Sequence, residues 1–214
     1  MKNALFGSAI VAAALALTLP LEAQAPQLPG SKNTAAITGG TYQADAGHTL
    51  VGWRVDHFGF TPYFGLFGDI TGTLVLDPKN PAAAKVDVTI PVAKVTTASA
   101  GLTAHLLKPA GENGKADFFG AAPAPARFVS TAVHVHDADS AHITGDLTLN
   151  GVTRPVTLDA KFYGAGKAPA MMGGKENVGF TATAKIKRSD FGVGYAIPLV
   201  SDEVELDIVA AFQK

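Results

Sequence analysis

The chain has 214 residues, of which 47% are hydrophobic and 16% are charged, and its formal net charge is -1. This length suits one domain with a sizeable core, and the lack of a basic excess argues against a nucleic-acid partner. The absence of cysteine excludes a disulfide framework, a thiolate metal site, a thiol nucleophile and a cysteine-anchored lipoprotein.

The N-terminal segment has the three parts of a secretory signal peptide. Lys2 supplies a positive start, residues 9–19 form an apolar run, and residues 23–25 (Ala-Gln-Ala) have the spacing of a cleavage site. The run is shorter than the roughly 20 apolar residues of a membrane-spanning helix. We therefore expect residues 1–25 to be removed on export, which leaves a chain without stable membrane insertion. Residues 26–41 are rich in Pro, Gly, Ser and Thr, and this composition predicts a flexible linker.

From Tyr42 onward, apolar and polar residues alternate with period two, which is typical of antiparallel strands with one apolar face. The pattern predicts about eight strands, and Asn150-Gly151 between two of them predicts a tight hairpin. The residues predicted to share apolar faces are Val51, Trp53 and Val55, then Ile70, Leu74 and Leu76, then Val86, Val88 and Ile90, then Val129, Thr131, Val133 and Val135, then Ile143, Leu147 and Leu149, then Val156, Leu158, Ala160 and Phe162, then Phe180, Ala182, Ala184 and Ile186, and finally Val204, Leu206, Ile208, Ala210 and Phe212.

Eight antiparallel strands must fold into a sandwich or close into a barrel. A closed eight-stranded barrel is able to enclose one small ligand. The irregular stretch 96–127 is expected to cover one mouth of the barrel, with short helices predicted at Ser99–Leu107 and Lys115–Phe119.

Several segments resemble the YceI-like, polyisoprenoid-binding family in their order and spacing. The resemblance covers the chain from Tyr42 to the C-terminus and implies an all-β, antiparallel, eight-stranded lipocalin-like barrel over residues 42–214. It also implies a periplasmic location and an isoprenoid or other amphiphilic chain in the lumen. The matching segments are Tyr42-x-x-Asp45-x-x-His48-Thr49-x-Val51-x-Trp53-x-Val55-x-His57, Gly65-x-Phe67, Gly72-x-Leu74-x-Leu76-Asp77, His105-Leu106, Asp117-Phe118-Phe119, Pro125-Ala126-Arg127-Phe128-Val129-Ser130, the stretch from Gly145 to Val156, Arg188-Ser189-Asp190-Phe191-Gly192 and Asp202-Glu203-Val204.

The strand pattern and the resemblance together nominate the ligand-binding residues. The apolar ones would line a lumen in which each buried methylene contributes about 0.8 kcal/mol, or they would fill a solid core. The histidines would bond a polar head group or hold strand ends, and the paired phenylalanines would form a gate or a satellite cluster. The arginine would neutralise an anionic head group or lie on the surface. The candidates are Val51, Trp53, Val55, His57, Phe67, His105, Phe118, Phe119, Arg127 and Phe128.

His134 and His136 share one strand face, a spacing that suits a metal if His142 or Asp137 supplies a third ligand. Alternating polar residues on a solvated strand face are far commoner, so we predict no metal site and no cofactor. The sequence contains no G-x-S-x-G, Walker A, G-x-G-x-x-G or H-E-x-x-H motif, and no catalytic residue is predicted.

These observations predict a periplasmic binding or carrier protein for an isoprenoid or other amphiphilic lipid of the quinone or polyprenyl type. One alternative is an enzyme that acts on such a lipid through His57 or His105. Another is a solid-barrel interaction module without a ligand. The sequence is also compatible with a homodimer formed through edge strands.

Overall fold

A computed structural model describes residues 27–112 and 114–214, and the predicted signal peptide, residues 1–25, lies outside these ranges. No helix within them is both long and apolar enough to cross a membrane. The chain forms strands β1 (Gly30–Ser31), β2 (Gly40–Ala44), β3 (Leu50–His57), β4 (Thr61–Phe67), β5 (Thr71–Leu76), β6 (Lys85–Ile90), β7 (Ala126–Val135), β8 (Ser140–Leu149), β9 (Val152–Lys167), β10 (Glu176–Lys187) and β11 (Glu203–Gln213), the helix α1 (Ala100–Leu106), and short 3-10 helices at Thr34–Ala36, Pro81–Ala83, Val92–Lys94, Ala170–Met172 and Arg188–Phe191.

Eight strands close into an antiparallel barrel in the order β9-β8-β7-β6-β5-β2-β11-β10, and β10 pairs back with β9. The hairpin of β3 and β4 extends the wall along β11. Strand β11 pairs with β2 at Phe212 and Gln213 and with β3 over residues 205–209. The predicted all-β fold, an eight-stranded antiparallel barrel, is therefore confirmed. Strands β2 and β4 were not among the predicted strands. In β4, Gly65 and Pro62 interrupt the alternation.

The connections define two ends of the barrel. The β3–β4, β8–β9 and β10–β11 connections lie at one end together with α1, and we call this the α1 end. The β5–β6, β7–β8 and β9–β10 connections lie at the opposite end. At the α1 end, Asn150 and Gly151 both have positive φ angles and form the predicted tight turn between β8 and β9.

The inner face of the barrel follows the predicted alternation along β3, β5, β6, β8, β9 and β11. Strand β7 departs from it. Its pairing register with β8 shifts between Ser130 and Ala132, so Phe128 points inward before the shift and Val133 and Val135 do so after it. The prediction that Val129 and Thr131 share a face with Val133 and Val135 was wrong, because a bulge inserts one residue and changes the phase of the alternation.

One of the two predicted helices forms. The Ser99 hydroxyl caps α1 by accepting a hydrogen bond from the Leu102 N–H at 3.2 Å. The prediction of a helix at Lys115–Phe119 was wrong. Gly114 and Gly120 flank this segment with positive φ angles, and the five residues between them are too few to sustain a helical nucleus.

The described part of the predicted linker packs on the barrel. Strand β1 pairs with β9 through Gly30–Gly166 and Ser31–Ala165, and Ile37 is buried in a cluster with Tyr42. A Cβ atom at Gly166 would lie 2.0 Å from the Pro29 carbonyl oxygen, so this close approach of the two backbones depends on glycine. Strand pairing at Gly30–Ser31 and the burial of Ile37 therefore tie this segment to the barrel, where composition alone predicted a flexible linker.

Candidate functional site

The barrel is hollow and encloses a cavity of about 820 Å³ that extends from the α1 end to the opposite end. This volume lies within the range of small-molecule binding sites, roughly 300–1,000 Å³. Aliphatic and aromatic side chains of every barrel strand except β2, together with those of the β3–β4 hairpin, form most of its wall. The alternative of a solid core is therefore contradicted. The middle of the wall is represented by Leu74, Val88, Phe128, Leu147, Leu158, Ala182 and Ile208.

Trp53 is the largest side chain that β3 contributes to the cavity wall. Its indole N–H is buried and has no hydrogen-bond partner. Gly65 lies directly opposite on β4, and a Cβ atom there would come within 2.3 Å of the Trp53 ring. The small residue therefore creates the slot that the indole occupies. A buried unsatisfied donor is costly, so an oxygen acceptor on a bound molecule would be favourable here.

A cluster of rings joins three segments at the α1 end. His105 of α1 makes edge-to-face contacts with Phe118 and Tyr195, at centroid distances of 5.3 Å and 5.5 Å, and these two rings are 5.4 Å apart. The His105 Nε2 atom lies 2.8 Å from a carboxylate oxygen of Asp117, which orients the imidazole. Phe119 is held by a hydrogen bond from its N–H to the Leu106 carbonyl and packs against Phe67. The ring cluster therefore covers part of the cavity at this end.

Arg188 is a buried cation on the cavity wall. Its guanidinium donates hydrogen bonds of 2.8–2.9 Å to four backbone carbonyls, and burial lowers its pKa. These bonds fold the segment between β10 and β11 across the α1 end of the barrel. The carbonyl acceptors belong to Val193, Tyr195, Val200 and Ser201.

The structure brings nine of the ten candidate residues to the cavity wall and leaves Arg127 outside it. Arg127 points from β7 to the outer surface and makes a two-point ion pair with Asp87 at 2.9 Å and 2.6 Å. This ion pair holds the pKa of the Asp87 carboxyl below its usual range. The role considered for Arg127 at an anionic head group is not supported, because Arg127 and Phe128 are neighbours on a strand and face opposite sides.

Tyr195, Leu199 and Arg188 were missed as cavity residues, since they belong to a segment without alternation. Many other wall residues, such as Leu206 and Ile208, were predicted to face inward but were not named as ligand contacts. Extending the candidate list to every inner-face position would have found them, whereas the segment at 192–201 has no comparable signal.

The three histidines of the β7–β8 hairpin meet on the outer surface. The His136 ring is 5.1 Å from that of His134 and 4.2 Å from that of His142. Within residues 27–112 and 114–214, no three His, Asp or Glu side chains form a group arranged to hold a metal ion.

Comparison with known proteins now identifies the family. A family model described as the YceI-like domain matches residues 42–212. The chain belongs to the YceI-like family. A member of this family, Protein YceI of Escherichia coli O157:H7, is 46% identical over 162 residues, which cover 75% of this chain and 79% of that protein.

Solved structures support the same assignment. The YceI protein of Campylobacter jejuni superimposes with a TM-score of 0.61 at 31% identity, over 74% of this chain and 89% of that one. A polyisoprenoid binding domain from Saccharophagus degradans superimposes with a TM-score of 0.53 at 13% identity, over 80% of this chain and 97% of that one. The second match shows that a chain of very different sequence adopts a similar fold.

Proposed function

We propose that this YceI-like protein is a periplasmic carrier that holds the long apolar chain of an isoprenoid lipid, of the quinone or polyprenyl type, inside its barrel. The hollow, apolar cavity of about 820 Å³ carries this proposal. Burying one methylene of such a chain is worth about 0.8 kcal/mol, so a chain of several isoprene units would bind firmly through apolar contact alone.

The polar groups of the wall favour an amphiphile over a pure hydrocarbon. The half of the cavity nearer α1 contains the unpaired indole N–H of Trp53, the ring cluster of His105 and the buried Arg188 cation. A head group with oxygen acceptors, such as a quinone or a phosphate, would satisfy the Trp53 donor there. The middle of the barrel, where aliphatic side chains dominate, would take the tail.

Two further observations support the carrier role. The signal-peptide pattern of residues 1–25 predicts export, which agrees with a periplasmic location. The Saccharophagus degradans domain of similar fold is described as polyisoprenoid binding. A carrier needs only to shield the lipid tail from water, so the proposal requires no covalent chemistry.

The decisive experiment is native mass spectrometry of the protein purified without detergent from a bacterial periplasm, followed by extraction and identification of the released lipid. Ala182→Phe is the test variant, because Ala182 is buried on the cavity wall in β10. Thr183→Phe is its matched control, since Thr183 is the next residue on the same strand and is exposed. Thermal unfolding of both variants shows whether the barrel is intact.

We expect a stoichiometric prenyl-chain adduct on the wild type and on Thr183→Phe, and a several-fold lower occupancy on a folded Ala182→Phe. A wild type that stays free of ligand even after incubation with prenylquinones and polyprenyl phosphates would refute the proposal. If the bound lipid were chemically converted during incubation, and His57→Ala abolished this conversion while the lipid still bound, the result would instead favour the alternative of an enzyme that acts on the lipid.

A further inference from the structure

An exposed apolar surface borders the cavity at the α1 end. It is formed by the turn between β3 and β4 and by the segment between β10 and β11. Phe60 at the tip of the turn is 86% exposed and Leu199 is 56% exposed. We call this surface the apolar rim, and it consists of Phe58, Phe60, Tyr195, Ile197 and Leu199.

Backbone hydrogen bonds join the two parts of the rim. The Phe58 N–H donates to the Leu199 carbonyl at 2.7 Å, and the Ser201 N–H donates to the Asp56 carbonyl at 3.0 Å. His57 and Val200 form a further antiparallel bridge. The hydrogen bonds from Arg188 to backbone carbonyls hold the segment between β10 and β11 in place. The exposed side chains therefore belong to one continuous and well-supported surface.

The sequences that build the rim lack formal charge. Residues 57–68 and 191–201 contain no Asp, Glu, Lys or Arg, although charged residues make up 16% of the whole chain. Connections at the opposite end of the barrel differ, because they include Asp77, Lys79 and Asp137. The rim is therefore an uncharged patch within the α1 end, where the connection between β6 and β7 does carry charged residues such as Lys94, Lys108 and Asp117.

The rim is also continuous with the interior. Phe58, Tyr195 and Leu199 are partly exposed on the outside and at the same time line the cavity. A lipid tail that left the barrel here would meet apolar side chains along its whole path. Transfer of the tail into water would instead cost about 0.8 kcal/mol for each methylene group that became exposed.

We propose that the apolar rim docks reversibly on the surface of a lipid bilayer, so that the cavity opens directly onto the acyl chains and the cargo is exchanged without crossing water. Aromatic and aliphatic side chains without charges insert at the boundary between head groups and acyl chains, where a charged residue would be costly. A specific protein–protein interface usually has a polar margin around its apolar core. The two segments that form the apolar rim contain no charged residue for such a margin, which favours a lipid surface over a protein partner. The docking inference rests on the proposed function for its cargo, but contact with the membrane is measured independently of it.

The test is flotation of the protein, purified from a bacterial periplasm, with vesicles of phosphatidylethanolamine and phosphatidylglycerol. The rim variant is Phe60→Ser/Ile197→Ser, because both side chains are exposed and neither lines the cavity. The matched control is Met171→Ser/Met172→Ser, because both methionines are highly exposed and lie in the β9–β10 connection at the opposite end. Circular dichroism and thermal unfolding establish that all three proteins are folded.

We expect the wild type and the control to float with the vesicles and the rim variant to float roughly tenfold less, since it loses the most exposed side chain of the rim. Extraction of a fluorescent prenylquinone from the same vesicles should slow in parallel, while binding of that quinone added from ethanol should not change. Loss of quinone binding with flotation intact would reject the carrier role and leave docking standing. Equal flotation of the rim variant and the control, no flotation of the wild type, or a rim-dependent dimer in sedimentation velocity would overturn docking.

Discussion

Trp53 and Gly65 face each other as a cross-strand pair, and the indole occupies the space that any side chain at Gly65 would need. A Cβ atom at Gly65 would lie 2.3 Å from the ring and 2.7 Å from the Thr96 carbonyl oxygen. The pair thus couples the wall of the cavity to the hairpin that supports the apolar rim.

Gly65→Ala is therefore expected to displace the indole and to lower the free energy of unfolding by about 1–3 kcal/mol, as overpacking does. Trp53 is the single tryptophan of the chain, so its fluorescence reports the displacement directly. We expect a red-shifted emission and a lower urea midpoint. Gly194→Ala is the control, because a Cβ atom there meets nothing within 4 Å. Unchanged emission in Gly65→Ala would mean that the tight pairing is not maintained in solution.

Trp53→Phe should change ligand selectivity more than stability. The substitution keeps an aromatic ring on the wall and removes the buried N–H that has no partner. If a head-group oxygen accepts from this N–H, affinity for a prenylquinone should fall by about tenfold, the worth of roughly one hydrogen bond. Affinity for a prenyl hydrocarbon of the same length should stay nearly constant. Competition binding with the two ligands measures the difference, and an equal loss for both would show that the indole contributes packing alone.

Arg188→Lys should destabilise the protein by about 2–4 kcal/mol, because lysine has three donors and lacks the planar fork that reaches several carbonyls. Arg188 bonds four carbonyls within residues 193–201. Urea unfolding gives the free energy, and hydrogen exchange should show faster exchange in this segment. Arg154→Lys serves as control, since Arg154 is exposed and contacts only the Thr153 carbonyl among the described hydrogen bonds. Equal stability of the two variants would contradict the anchoring role.

Glu176→Gln should weaken the pH dependence of stability in acid. The Thr38 N–H donates to the Glu176 carboxylate at 3.0 Å, and this bond is the main cause that holds the pKa of Glu176 below its usual value. The buried Tyr42 hydroxyl also donates to it, and burial together with this carboxylate raises the pKa of Tyr42 to about 12.

A depressed carboxyl pKa adds stability above the unfolded-state value of about 4.3, and this contribution is lost as the pH falls toward the folded-state pKa. Glu176→Gln should thus cost about 1–2 kcal/mol near neutral pH and progressively less on acidification below about pH 4. Urea titrations across this range measure the difference, with Glu205→Gln as an exposed control. If the loss of unfolding free energy in Glu176→Gln did not depend on pH, the effect would arise from packing and not from the charge of the carboxylate.

The alternation of residues was sufficient to predict an antiparallel sheet with one apolar face, because period two directly records which side chains leave water. The choice of a barrel over a sandwich came from the family resemblance. Leu74 and Leu76 or Val204 and Leu206 show their inner face without any tertiary information. The same reasoning misplaced Thr131, because the bulge in β7 depends on pairing with β8. It also misassigned Lys115–Phe119, which is flanked by Gly114 and Gly120 with positive φ angles.

The sequence by itself determined the class of fold, the apolar character of the interior and nine of the ten residues placed on the cavity wall. These properties follow from side-chain chemistry and from the two-residue period of a strand. Only the tertiary structure decided that the barrel is hollow, that Arg127 pairs with Asp87 outside it, and that Arg188 secures the segment over its α1 end. Whether facing side chains meet or leave a space depends on strand order, register and curvature, and these arise from contacts between residues far apart in the chain.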